Sequence, residues 1–141
     1  MGTAFELHIE RVLHDIAIPF VPQPKIGNRK PDFLMPSLKK YKNTPSECII
    51  LSAKSTLGER WQQILNEGAT GHWYLATLDR TITDQSMADM NVSKITVVVP
   101  ESFVAPKSSA SPRGVYFGKP NAMSFRDFFD GPLRNGRTTW Q

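Results

Sequence analysis

The sequence predicts an α/β chain, a central mixed β-sheet flanked by helices. Three observations carry this. An amphipathic helical stripe opens the chain, two apolar runs of strand length occupy its middle, and a helix-length amphipathic stretch lies between those runs. Strand, helix, strand in that order is what a crossover between parallel strands requires.

The elements follow in order. Thr3 to Ile16 predicts a helix, with Thr3 and Glu6 as a capping box and Phe5, Ile9, Val12, Leu13 and Ile16 on one stripe. Pro19, Pro22 and Pro24 exclude helix, so Phe20-Val21 supplies a short extended segment. Lys25 to Lys30 forms a basic turn around Gly27-Asn28. Asp32 to Met35 is a short strand bounded by prolines, and Ser37 to Ser46 a polar loop carrying Lys39, Lys40, Tyr41 and Lys42. Cys48 to Ala53 is uninterruptedly small or apolar and fits a strand buried on both faces. A helix is predicted from Thr56 to Glu67 with Gly68 as its C-cap, then a strand from Gly71 to Leu78. Asp84 to Met90 is a short helix and Lys94 to Val99 a further strand, closed by Pro100. Residues 105–114 are rich in Pro, Ser and Ala and predict a loop. Ser124 to Phe129 predicts one or two helical turns, and the basic tail from Arg134 a frayed end.

Composition narrows the function classes. A chain of 141 residues, 40% hydrophobic and 21% charged, suits one folded domain rather than disorder. A net charge of +4 favours a polyanionic partner, since clustered Lys and Arg release counterions from a phosphate backbone. One cysteine, Cys48, excludes a disulfide framework and leaves too few thiols for a Cys/His zinc site. No run approaches membrane-spanning length and no signal peptide opens the chain, so no membrane partner and a cytoplasmic, reducing setting are expected.

The chemistry concentrates between Pro31 and Glu67. Asp32 and Lys54 fall on adjacent predicted strands and Glu67 on the helix that follows. Two carboxylates can hold a hard cation such as Mg²⁺, and a lysine beside it can offset charge or activate water, which is the equipment of phosphodiester hydrolysis. On the helix, Leu57, Trp61, Ile64 and Leu65 share a core-facing side, while Glu59, Arg60, Gln63 and Glu67 group beside it. Glu59 and Arg60 near the helix start are chemically fitted to read a C·G step, because Arg suits guanine O6/N7 and a carboxylate suits cytosine N4. Lys30, in the basic turn, is a candidate DNA contact. Each residue taken alone reads more readily as a solvated surface group; their order on strand, strand and helix is what makes them a candidate site. Lys54 is the sharpest point, since a lysine closing an apolar run needs a partner.

Glu-Leu-His-Ile-Glu-x-x-Leu at Glu6, Gly27-Asn28-Arg29-Lys30-Pro31-Asp32-Phe33-Leu34, Leu51-Ser52-Ala53-Lys54-Ser55-Thr56 and Glu59 to Glu67 together resemble the catalytic domain of EcoRII-type restriction endonucleases, of the PD-(D/E)XK nuclease superfamily. The resemblance runs from about residue 3 to about residue 103. It implies a restriction-endonuclease-like fold and a Mg²⁺-dependent endonuclease that acts as a homodimer on double-stranded DNA, at CCGG- or CCxGG-like palindromes. It implies that Asp32 is the metal-binding aspartate and Lys54 the catalytic lysine. Ser52 stands where relatives outside this subgroup carry a second strand acid, and Glu67 matches the acid displaced onto the helix. Tyr41 matches a tyrosine near the active site, Glu6 an acid on the first helix, and Glu59 and Arg60 two base-reading residues. Gly58 departs from the pattern, which has a basic residue there. On this reading residues 1–104 form the catalytic domain, and 105–141 a loop, a short helix and the basic tail packed on it. The alternative is a DNA-binding module of the same fold that cleaves weakly or not at all.

Overall fold

The computed structural model describes residues 4–24, 31–54, 72–79, 82–104, 116 and 118–140. Helix α1 (Ala4–Asp15) leads into strand β1 (Val21–Pro22), β2 (Phe33–Met35), helix α2 (Leu38–Asn43), a 3-10 turn (Pro45–Glu47) and β3 (Ile49–Lys54). There follow β4 (His72–Thr77), α3 (Asp84–Val92), β5 (Ile95–Val99), α4 (Glu101–Val104) and β6 (Ala122–Ser124). Helix α5 (Phe125–Phe128), a wide π-type turn (Phe129–Leu133) and α6 (Arg134–Trp140) close the chain.

The six strands among the described residues lie in one sheet in chain order. β1, β2 and β3 pair antiparallel; β3 to β6 run parallel. The mixed sheet expected from the sequence is therefore present. β3 stands third in it with Ile49 to Ala53 all buried, as an uninterrupted apolar strand must be.

Strand alternation splits the core into two layers. On one face Leu34, Ile50, Trp73, Leu75, Val97 and Val99 pack with Met87 and Met90 of α3 and with Phe103. On the other, Phe33, Met35, Leu51, Ala53 and Val98 pack with Ile9 and Leu13 of α1 and with Phe128 and Leu133.

Besides the short helix α4 (Glu101–Val104), which the sequence did not predict, three segments depart from expectation. Ser37 to Ser46 is a capped helix and a 3-10 turn rather than a loop: the Lys40 N–H donates to Ser37 Oγ at 3.2 Å, and Lys40 bridges Glu47 at 2.8 Å. The tail is not frayed. α6 is anchored because Trp140 Nε1 donates to the Glu47 carbonyl at 2.8 Å. β6 carries no sequence signal, because three residues are too few for a period. Backbone pairing defines it instead, with Val97 opposite Ala122 and Val99 opposite Ser124. The basic turn at 25–30, the helix predicted for 56–67 and the loop at 105–114 lie outside the described residues.

Candidate active site

Register brings the strand residues together. β2 and β3 pair with Phe33 opposite Leu51 and Leu34 opposite Ile50, so one further step sets Asp32 opposite Ser52. Alternation then puts Asp32, Ser52 and Lys54 on the Leu34–Ile50 face, at the carboxyl end of β3. β4 adds to this corner, because Lys54 is the register partner of Thr77.

Asp32 is only 5% exposed. Burial of a carboxylate is costly unless its oxygens are hydrogen-bonded. Asp32 Oδ2 accepts the Ala53 backbone N–H at 2.6 Å, one residue before Lys54. Oδ1 accepts from Gln23 Nε2 at a looser 3.4 Å. The acid is thus tied to the backbone that presents the lysine. A buried, hard-oxygen carboxylate with one oxygen only weakly engaged fits a hard divalent cation. Among the described residues no group of three or more His, Cys, Asp or Glu is gathered to hold a metal. Glu67, the second acid expected, lies outside the described residues, as do Glu59, Arg60 and Lys30.

The remaining expected residues are distributed over both faces. Ser52 is buried beside Lys54, which is itself half-buried. Tyr41 on α2 packs against the core on the same face as Asp32 and Lys54. Glu6 is buried and shares the helical stripe of Ile9 and Leu13, which packs on the opposite face.

Sequence reasoning missed the residues that finish this edge. Thr77 is fully buried, and its Oγ1 accepts the Asp79 N–H at 3.1 Å. The Tyr116 hydroxyl donates to the Asp79 carbonyl. Burial, helped by the nearby Asp79 charge, pushes that hydroxyl well above the usual phenol range, so it stays a donor. Gln23 was missed as well: nothing in its spacing marks it, and only the fold sets it opposite Asp32.

The fold is that of restriction endonucleases. The chain resembles metal-depleted Ecl18kI in complex with uncleaved, modified DNA, with a TM-score of 0.75 and 22% identity, covering 96% of this chain and 45% of that one. It also resembles the restriction endonuclease PspGI in its substrate DNA complex, with a TM-score of 0.74 and 22% identity over 97% of this chain and 62% of that one. Residues 1–115 match the family described as EcoRII C terminal, and the chain belongs to that family. It is 36% identical over 107 residues to the type II restriction enzyme EcoRII of Escherichia coli, covering 72% of this chain and 26% of that protein. Against the type II restriction enzyme SsoII of Shigella sonnei it is 28% identical over 117 residues, covering 72% and 38%. The chain thus spans well under half the length of these curated relatives. No helix among the described residues is long and apolar enough to cross a membrane.

Proposed function

We propose that this chain carries the catalytic part of a type II restriction-like deoxyribonuclease, hydrolysing phosphodiester bonds of double-stranded DNA with Mg²⁺. The observation that carries the reading is the 2.6 Å bond from the Ala53 N–H to the Asp32 carboxylate, which locks a buried acid beside the backbone of Lys54. Membership of the EcoRII C-terminal family supports it.

In this reading Asp32, with Glu67 as second acid, would hold Mg²⁺, which supplies Lewis-acid charge at the phosphoryl oxygens. Asp32 stays fixed through the backbone of β3, so the donor does not reorganise as the substrate binds. Lys54 extends from the end of the same strand, offsets charge building on the phosphoryl group and orients the attacking water. Ser52 leaves the strand position beside Lys54 uncharged, which suits a site whose second acid comes from elsewhere. Tyr41 completes the proposed site from α2. Glu59 and Arg60 read the bases of a CCGG- or CCxGG-like palindrome, Lys30 contacts the backbone, and a homodimer matches the two half-sites. A cytoplasmic setting suits such an enzyme.

The test is plasmid cleavage with and without Mg²⁺. Wild type should linearise the plasmid at defined ends, and Lys54→Ala should slow it by about 10²- to 10⁴-fold. No cutting by wild type, or equal cutting by the variant, sinks the proposal. Gly58, standing where the family pattern has a basic residue, favours a second reading as a weakly cleaving DNA-binding module. Such a module would retard duplex DNA in a gel yet leave the plasmid supercoiled with Mg²⁺.

A further inference from the structure

We infer that Gln23 is a positioning residue for the Asp32 carboxylate, holding Oδ1 in the orientation a bound cation requires. The inference rests on the nuclease reading above. It comes from three observations about a residue that neither motif nor mechanism uses.

The β1–β2 register continues past Pro22 opposite Phe33, so Gln23 stands opposite Asp32. The pair is joined twice. The Gln23 N–H donates to the Asp32 carbonyl at 2.9 Å, and the side-chain amide donates to Asp32 Oδ1 at 3.4 Å. With Oδ2 already taken by Ala53, both carboxylate oxygens are addressed, and Gln23 governs the one that is less tightly held.

The backbone supplies the third observation. Gln23 has φ +49, in the left-handed region that a residue ahead of proline is ill suited to adopt. Among the described residues two other non-glycine residues have positive φ, and both follow helix ends: Ala17 after α1 and Lys94 after α3. A left-handed residue is the ordinary way to leave a helix. Gln23 instead follows a strand, where no such reason applies. Pro24, buried next to it, gives the turn a packing purpose, but it gives the exposed Gln23 side chain none. The strained turn aims an amide donor at the acid, and outer partners of this kind commonly set metal affinity by 10- to 100-fold.

Strain and positioning predict opposite signs, which makes the idea testable. Gln23→Gly relaxes the backbone and removes the amide, so Tm should hold or rise while Mg²⁺ binding weakens. Calorimetric titration of the DNA-free protein with Mg²⁺ gives the affinity directly, with Asp32→Asn as the zero. We expect about a tenfold weaker Kd in Gln23→Gly and the same loss in Gln23→Asn, whose amide is one methylene too short. Unchanged affinity in Gln23→Gly overturns the inference. So does a loss confined to glycine with asparagine at the wild-type value, which would assign the effect to the backbone. Should wild type itself show no Asp32-dependent Mg²⁺ binding, the nuclease reading fails and takes this inference with it. If wild type binds Mg²⁺ and cuts while both variants match it, this inference alone fails.

Discussion

Asp32 shows how a single residue can be costly to the fold and still tolerated. Taking a carboxylate out of water costs several kcal/mol, offset by its hydrogen bonds from Ala53 and Gln23, since hydrogen bonds to charged groups contribute about 1.5–3 kcal/mol each. The two roughly cancel, so removing the charge while keeping the shape should leave stability within about 1 kcal/mol of wild type. Function has no such compensation on the proposed reading, in which the charge is what would attract the cation. We therefore expect Asp32→Asn to fold and melt normally while cleavage falls by at least about 10²- to 10³-fold. Urea denaturation beside plasmid cleavage checks both halves. A variant that unfolds would mark Asp32 as structural, and one that cuts normally would remove it from the site.

At the level of elements, α6 is governed by one close contact. Gly136 looks wrong for a helix interior, where alanine would be better by about 1 kcal/mol. A Cβ there would sit 2.7 Å from Trp140 Cζ2, so the indole would have to leave. Its departure forfeits the Trp140–Glu47 bond, about 1 kcal/mol, and part of the ring's burial against the second core layer, about 1.5–3 kcal/mol if complete. Loss outweighs gain. Gly136→Ala should lower the urea midpoint in wild type yet raise it in a Trp140→Ala background; a stabilised single variant would show that Trp140 does not anchor the helix. The same element explains what could be foreseen. β3 was legible because burial on both faces writes one unbroken apolar run, and α1 because its stripe repeats over three turns. α2 buries no residue fully, so it leaves no stripe, and its order comes from the Ser37 cap and the Lys40–Glu47 pair. α6 depends on a contact with Glu47, far away in sequence. In the candidate site, the placement of Asp32 and Lys54 on adjacent strands could be foreseen from spacing, whereas Gln23, Thr77, Asp79 and Tyr116 become neighbours only through register and tertiary contact.

Over the whole molecule, the described residues after 104 are built into both faces of the sheet. Tyr116 enters the layer that carries Asp32 and Lys54, Phe128 and Leu133 enter the layer beneath α1, and β6 covers the edge of β5. Each of those three side chains is essentially fully buried, which contributes about 1.5–3 kcal/mol apiece. Together that is comparable to the 5–15 kcal/mol by which whole domains are stable. The exposed edge of β5 left by losing β6 would add an aggregation hazard. We propose that the chain is one cooperative unit and that the edge beside Lys54 depends on its far end, through the Tyr116 bond to the Asp79 carbonyl. A chain ending at residue 104 should then show no cooperative melt and no dispersed amide spectrum. A chain ending at Leu133 keeps all three anchors and β6, losing only α6, and should melt cooperatively at a lower temperature with cleavage retained. Cooperative melting of the shorter chain would show instead that the sheet from β1 to β5 is sufficient, leaving the terminal segment an accessory to the site rather than part of its foundation.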